Sequence, residues 1–210
     1  YQKAVVMVNG QKAGQHAYGY SPFSVDITPY LLDKRLNEVL VSVDNSEQPN
    51  CRWYTGSGIY RHVWLETMPA LHIAENGVFV TTPEVSSDKA IVQVETTVQN
   101  ESDRDRSALV AIGVGQMMVS VPAYQSKTVS TSFVVRNPHL WSPDDPYRYE
   151  LKAELKEEGE IIDQKTVNYG IRSFSYDAEK GFVLNGKPLL LNGACVHHDD
   201  GVLGAMAFDA

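Results

Sequence analysis

A pattern of short strands repeats along this sequence, with almost no helical periodicity. Runs rich in β-branched and aromatic residues recur along the chain, and Gly, Pro, Asn and Asp stand between them. Asn-Gly pairs at 9–10 and 185–186 separate such runs and predict type I′ hairpin turns, because both central residues of that turn need positive φ. The pattern therefore predicts an all-β chain.

The strand pattern divides into modules, and 210 residues are enough for two ordinary sandwich domains. The first module has predicted strands at 4–8, 11–14, 24–27, 38–43 and 63–65. After Pro69 seven further strands are predicted, at 71–74, 78–82, 90–99, 107–114, 128–135, 149–156 and 161–169. About seven strands in about 100 residues is the size of an immunoglobulin-like sandwich. Without paired cysteines it would be a fibronectin-type relative.

A third module begins near residue 171. Strands are predicted at 171–176 and 181–184, and 188–195 is a nearly continuous apolar run that predicts a strand buried on both faces, as in a parallel sheet or barrel. From Gly181 only 30 residues remain, whereas a (β/α)₈ barrel needs about 250. At most the first strand of a barrel and the loop after it are therefore expected. Tyr1 precedes a strand pattern directly, so we expect the chain to begin at a cut.

Charge and composition exclude several partners. A formal net charge of −8 argues against nucleic acid and anionic membranes, which need clustered Lys and Arg. No apolar run approaches the roughly 18 residues of a membrane helix, so no membrane span is predicted. Cys51 and Cys195 are interpreted as free thiols, because two distant cysteines make no disulfide framework. The six histidines lack the spacing of a zinc site, and no metal or cofactor is predicted.

Four stretches of the sequence, taken together, indicate a family more specifically than any one of them does alone. They are GYSPFSVDIT (19–28), RWYTGSGIYRHVWL (52–65), NPHLWSPDDPYRYEL (137–151) and FVLNGKPLLLNGACVHHDDGVLGA (182–205). Their order and spacing resemble the front half of glycoside hydrolase family 2, the β-galactosidase and β-glucuronidase group, and especially its Bacteroides-type members. The resemblance implies a partial jelly-roll sugar-binding domain at 1–67, an immunoglobulin-like β-sandwich at 68–173, and the lead-in and first strand of a truncated TIM barrel at 174–210.

The same resemblance implies an activity for the parent protein. Members hydrolyse terminal β-glycosides with retention, using two glutamates on later barrel strands. Neither glutamate motif is present here, so the chain would be the non-catalytic front portion of a β-galactosidase-like exo-glycosidase and inactive alone. Galactoside, glucuronide and mannoside enzymes share this front half. The resemblance further suggests a secreted or periplasmic enzyme, and it allows a homo-oligomer.

Two loops carry the candidate substrate-binding residues. His197 follows the predicted barrel strand, and the C-terminal end of such a strand would face an active site. The resemblance implies that the His197 imidazole contacts sugar hydroxyls, donating a hydrogen bond to one and accepting a hydrogen bond from another. His198 and Asp199 continue this loop. The alternative is a histidine bound to a backbone carbonyl, with Asp199 orienting its neighbour or simply solvated.

The other loop carries Arg52, Trp53 and Tyr54. The resemblance implies that it reaches the barrel mouth, where an aromatic ring can pack on the apolar face of a sugar while a charged group binds its hydroxyls. By contrast, Trp141 is predicted to be a core or interdomain residue.

The sequence leaves two alternatives to the glycosidase function. One is a stand-alone carbohydrate-binding module, which would need measurable sugar affinity without the barrel. The other is an immunoglobulin-like scaffold protein with protein partners only. The apolar run ending in CVHHDD favours the glycosidase, because an adhesion module has no reason to carry it.

Overall fold

The computed structural model of the chain describes residues 1–47 and 55–195. Within these residues there is no α-helix, and a single-turn 3₁₀ helix lies at Thr28–Tyr30. The strands are β1 Ala4–Val8, β2 Gln11–His16, β3 Val39–Ser42, β4 Leu71–Val85, β5 Lys89–Asn100, β6 Arg106–Ile112, β7 Gly115–Val121, β8 Ser126–Arg136, β9 Tyr149–Glu157, β10 Glu160–Tyr169, β11 Phe174–Asp177, β12 Gly181–Leu184 and β13 Lys187–Pro188. The all-β prediction is confirmed.

The chain divides into two compact units. One holds Glu66–Asn192, and the other holds Tyr1–Leu65 together with residues 193–195. The strands form four separate sheets, each within one of these units.

The first unit contains the sheet β2-β1-β3, which is antiparallel throughout. Val8 is completely buried in β1, and the predicted turn after it is present, with φ of 49° at Asn9 and 79° at Gly10. The strand predicted at 24–27 is absent. The Asp26 carboxylate accepts a hydrogen bond from the Thr28 backbone at 2.9 Å, which turns the chain into the 3₁₀ helix.

The strand predicted at 63–65 is also absent. Val63, Trp64 and Leu65 are 72%, 77% and 76% exposed. A strand forms only against a neighbour that satisfies its backbone groups, and no described strand pairs with this segment.

The second unit is a sandwich of two antiparallel sheets, β10-β9-β6-β7 and β4-β5-β8. Burial alternates along β5, where every second residue points into the core. The sixteen core residues are apolar and come from both sheets: Leu71, Ile73, Ala90, Val92, Val94, Val98, Ala108, Val110, Ile112, Val119, Val121, Val129, Leu151, Ala153, Leu155 and Ile171. Both cysteines of the sequence lie outside this unit, so packing and hydrogen bonds such as that from Asn100 Nδ2 to the Val121 carbonyl at 3.0 Å hold the sheets together without a disulfide.

Seven strands occupy 71–169, as predicted, but their division differs. The predicted strands 71–74 and 78–82 are one strand, β4, interrupted by irregular pairing around Asn76, where φ is 52°. In addition, β7 forms where a loop was expected. Its two methionines are 41% and 64% exposed while Val119 and Val121 are buried, so only its second half shows the alternation of a strand.

An ion pair ties β6 to β9 at one end of their sheet. Arg106 Nε donates to Glu157 Oε1 at 2.9 Å, and a second bond joins Nη2 to Oε2. This two-pronged contact is the strong form of an Arg–carboxylate pair. The hydrogen bonds from Arg106 lower the pKa of the Glu157 carboxyl.

The small sheet β11-β12-β13 ends the second unit. Its turn is as predicted, with φ of 50° at Asn185 and 78° at Gly186. The buried strand predicted at 188–195 does not form: pairing stops at Pro188, and Leu190 and Leu191 are 82% and 63% exposed. A parallel barrel strand takes its hydrogen bonds from strands on either side, and the described residues contain no such neighbours. The barrel therefore stays a prediction.

Candidate functional site

The six predicted sugar-binding residues fall outside the described part of the chain. These are Arg52, Trp53 and Tyr54 in the first loop, and His197, His198 and Asp199 in the second. The described segments that adjoin them show how the two loops are attached. Segments 1–47 and 55–65 flank the first loop, and 189–195 lead to the second.

A hydrogen-bonded pair closes the base of the first loop. Asn45 Nδ2 donates to the carbonyl of Thr55 at 3.1 Å and to its Oγ1 at 3.2 Å. On the approach, the Asp44 carboxylate accepts bonds from the backbone and hydroxyl of Ser46 at 2.9 and 2.6 Å, and these bonds lower the pKa of Asp44. The two ends of the segment that contains Arg52 are therefore fixed close together.

The segment after the first loop is anchored at two further points. The Tyr60 hydroxyl donates to the Gly19 carbonyl, and the backbone nitrogen of Tyr1 donates to the Gly58 carbonyl at 2.8 Å. Burial raises the pKa of the Tyr60 phenol. Arg61 lies over the Tyr60 ring, 5.0 Å from its centroid. Both residues therefore pack locally within this unit.

The GYSPF stretch packs beside this anchor. The ring of Tyr20 lies 4.8 Å from that of Tyr1, and a Cβ added at Gly19 would come within 2.2 Å of the Tyr1 ring. Phe23 stacks on His16 at 4.7 Å. The glycine is thus required for close approach, and the stretch has a packing role.

The second loop is reached from the hairpin β12–β13, which a single residue, Asn185, holds in place through its side chain and its backbone. Asn185 Oδ1 accepts from the Ser173 backbone at 3.0 Å, its Nδ2 donates to the Trp141 carbonyl at 3.0 Å, and its own backbone N–H donates to the Ser173 carbonyl at 2.8 Å. We call these three bonds the Asn185 clamp. Beyond the hairpin, the Leu189 backbone still donates to Phe182 at 2.9 Å.

Trp141 is partly buried and packs within the second unit, although it is not one of the core residues. Its backbone N–H donates to the Ile171 carbonyl at 2.8 Å, and the guanidinium of Arg172 lies 4.7 Å from its ring. A Cβ at Gly170 would come within 3.0 Å of the indole. The NPHLWSPDDPYRYEL stretch is thereby tied to the chain that leads into the hairpin.

The sequence analysis did not identify Asn45 or Asn185 as anchors. Asn185 was assigned only to a turn. Asparagines in turns often bind nearby backbone with their side chains, and this preference is the signal that could have identified Asn185. Asn9 does the same in the first unit, with Nδ2 donating to the Tyr30 carbonyl at 2.8 Å and Oδ1 accepting from Glu38 at 3.0 Å. Asn45 gives no local signal, because its partner lies ten positions along the chain.

The described residues contain neither a metal cluster nor a membrane-spanning helix. Across 1–47 and 55–195, no group of three or more His, Cys, Asp or Glu side chains is arranged to hold a metal ion. The same residues contain no helix with the length and apolar character needed to cross a membrane.

The known proteins that resemble this chain in sequence are glycoside hydrolases. Residues 71–172 match the family model of glycosyl hydrolases family 2. A β-galactosidase of Bacteroides ovatus is 41% identical over 98% of this chain and 25% of its own length. A β-glucuronidase of Bacteroides fragilis is 31% identical over 96% of this chain and 32% of its own length.

Solved structures give the same result. A family 2 glycosyl hydrolase from Bacteroides cellulosilyticus has a TM-score of 0.92 at 38% identity, covering 99% of this chain and 30% of that one. A β-glucuronidase of Bacteroides uniformis has a TM-score of 0.89 at 29% identity, covering 99% and 27%. The chain thus spans about a quarter to a third of the length of the relatives it matches. By its matched sandwich and by these relatives, the chain belongs to glycosyl hydrolase family 2.

Proposed function

We propose that this chain is the non-catalytic front portion of a retaining exo-glycosidase that removes terminal β-glycosides. The observation that carries the proposal is the 41% identity to a β-galactosidase over 98% of the chain. Galactosides are therefore the first substrates to test, and glucuronides the second, because relatives of both kinds match nearly the whole chain.

The chemistry of retention explains why this portion would not act alone. The reaction needs two carboxyl groups about 5–5.5 Å apart, one as acid and base and the other as nucleophile. Asp199 and Asp200 are adjacent in sequence and lie outside the described residues. On the loop predicted for them, neighbouring side chains would point in different directions, so we do not assign catalysis to this pair. We assign catalysis to a barrel encoded beyond these residues, and we assign to this chain a jelly-roll portion at 1–67, a sandwich at 68–173 and the start of the barrel at 174–210.

The role proposed for the front portion is to shape the sugar pocket. His197, His198 and Asp199 would contact sugar hydroxyls from one side, and Arg52, Trp53 and Tyr54 from the other. Two contacts support this assignment. The Asn45–Thr55 pair fixes the base of one loop, and the Asn185 clamp fixes the hairpin that leads to the other. Fixed bases suit residues that must meet one substrate geometry.

The substrate assignment can be tested on the full-length parent protein. Aryl β-galactoside, β-glucuronide and β-mannoside are offered in parallel, and the anomer first formed is followed by NMR. We expect one of the three to be hydrolysed with a β-configured first product. A product of inverted configuration, or no turnover of any β-glycoside, would refute the proposal.

Titration calorimetry separates this function from a stand-alone sugar-binding module. The isolated chain is titrated with galactose, glucuronate and mannose. We expect affinities weaker than millimolar, because half of the pocket would be missing. Tighter binding by the isolated chain would instead favour the module.

A further inference from the structure

Asn-Gly pairs occur in the described residues at 9–10, 76–77 and 185–186, outside the predicted barrel strand. Their asparagines share one backbone conformation, with φ of 49° at Asn9, 52° at Asn76 and 50° at Asn185. A further pair, at 192–193, lies in the predicted barrel strand, so we compare only the other three. These differ in the surroundings of the asparagine side chain more than in the conformation of its backbone.

Two of the three side chains are fixed by hydrogen bonds at both ends of the amide group. Asn9 Nδ2 donates to the Tyr30 carbonyl at 2.8 Å, while Asn9 Oδ1 accepts from the Glu38 backbone at 3.0 Å. Asn185 is fixed in the same way by the two side-chain bonds of the Asn185 clamp. Both asparagines are half-buried, and neither amide can rotate without breaking two bonds.

Asn76 lacks this support. Its side chain is exposed, and among residues 1–47 and 55–195 it has no hydrogen-bond partner. The pairing of β4 with β5 stops at Ile73 and resumes at Val78. Asn76 therefore lies in a bulge, 74–77, outside the ladder of hydrogen bonds.

The bulge also requires the glycine that follows Asn76. A Cβ added at Gly77 would come within 2.7 Å of the Ala74 carbonyl oxygen and 2.9 Å of the Thr97 carbonyl oxygen. Only glycine allows backbone atoms to approach so closely. The packing of the bulge therefore keeps glycine next to this asparagine.

An asparagine before glycine can lose its amide without an enzyme, and asparagine is one of the thermolabile residues. The backbone nitrogen of Gly77 attacks the side-chain carbonyl carbon of Asn76, the bond from that carbon to Nδ2 breaks, and ammonia leaves with the proton of the Gly77 N–H. Water then opens the cyclic imide at either carbonyl and gives aspartate or isoaspartate. Glycine has no side chain to hinder the attack, but the asparagine side chain must be free to rotate.

We propose that Asn76 is a site of spontaneous deamidation, and that side-chain hydrogen bonds protect the pairs at 9–10 and 185–186. The reaction adds one negative charge beside Glu75 to a chain whose net charge is −8. Because Asn76 lies outside the ladder, the product keeps the strand pairs on both sides of the bulge. The modified protein is therefore a more acidic form that remains folded.

The test incubates the purified full-length protein at mildly alkaline pH, where more of the backbone nitrogen is deprotonated, and follows each site by mass spectrometry of tryptic peptides. Residues 62–89 form one tryptic peptide in which Asn76 is the only side chain with an amide group. We expect Asn76 to deamidate at least roughly tenfold faster than Asn9 and Asn185, because two side-chain hydrogen bonds together shift an equilibrium by roughly thirtyfold. Anion exchange should separate the acidic form, and its melting temperature should be nearly that of the parent protein.

Two variants serve as controls. Asn76→Gly keeps the positive φ and removes the reactive amide, so its peptide should gain no acidic group. Asn37→Ala removes the Oδ1 that accepts from Asn9 Nδ2 at 2.8 Å. This change should speed deamidation at Asn9 by roughly fivefold and leave the rate at Asn76 unchanged.

Equal rates at Asn76, Asn9 and Asn185, or a faster reaction at either of the last two, would overturn the proposal. An unchanged rate at Asn9 in Asn37→Ala would show that hydrogen bonds do not protect the amide, and it would overturn the proposal as well. A clear fall in the melting temperature of the acidic form would contradict a folded product.

Discussion

Replacing Asn185 with glycine removes the side-chain bonds of the clamp and keeps the turn. Gly tolerates the φ of 50° found at this position, so the backbone bond to Ser173 can persist. Two bonds are lost, those from Ser173 N–H to Oδ1 and from Nδ2 to the Trp141 carbonyl.

The expected magnitude follows from these two bonds. A partly buried hydrogen bond contributes about 1 kcal/mol net, so the loss is about 2 kcal/mol. This corresponds to roughly a thirtyfold increase in the equilibrium for opening the hairpin. Asn185→Ala should cost about 1–2 kcal/mol more, because an L-residue other than Gly or Asn is strained at this φ.

Amide hydrogen exchange is the suitable assay, because it separates local opening from global unfolding. Peptides covering 174–184 should exchange roughly thirtyfold faster in Asn185→Gly, and faster again in Asn185→Ala. Peptides from β5, in the centre of the sandwich, provide the internal control and should be unchanged. Equal exchange of 174–184 in the parent chain and in Asn185→Gly would refute the clamp.

Three further predictions concern the rest of the molecule. The hydrogen bonds of Arg106 lower the pKa of Glu157, so the pair stabilises the fold at pH values above the ordinary carboxyl pKa of 4.5, and this stability is lost as the pH falls through the lower folded pKa. In denaturant titrations from pH 7 to 3, Glu157→Gln should therefore lose less stability on acidification than the parent chain. Equal loss of stability in the two proteins would contradict the prediction. Gly19→Ala should lower the stability of the first unit by about 1–3 kcal/mol, because its Cβ would overlap the Tyr1 ring and also crowd the Gln2 backbone. Thermal unfolding of Gly19→Ala with and without Tyr1→Ala checks this, since the second change removes only the ring overlap and should restore part of the loss. His197→Ala in the full-length protein should reduce kcat/KM for the preferred β-glycoside by roughly tenfold or more at an unchanged melting temperature, and an unaltered kcat/KM would remove His197 from the pocket.

The sequence predicted those elements whose own pattern determines them. Alternation along β5 and the Asn-Gly turn at 185–186 are local signals, and both appear in the structure. Elements that depend on a neighbour were predicted less well. The runs 63–65 and 188–195 have the composition of strands, but the described residues offer them no partner, and β7 pairs with β6 despite a weak pattern of its own.

For the candidate site, the sequence predicted which residues could bind a sugar, but it did not predict which hydrogen bonds fix the segments that carry them. The contacts of Asn45 with Thr55, and of Asn185 with Trp141, join positions that only the folded chain brings together. Trp141 could be assigned a packing role in advance because a large aromatic between turns is seldom free, whereas its partner Arg172 could not be foreseen.

Whether this chain is a non-catalytic portion of a glycosidase is tested by comparing hydrolysis of an aryl β-galactoside by the full-length protein and by the purified 210-residue chain. We expect turnover by the full-length protein and none by the isolated chain, because the two carboxyl groups of a retaining site are assigned outside it. Turnover by the isolated chain that survives repurification would show that this chain carries catalytic groups of its own and would refute the proposed function.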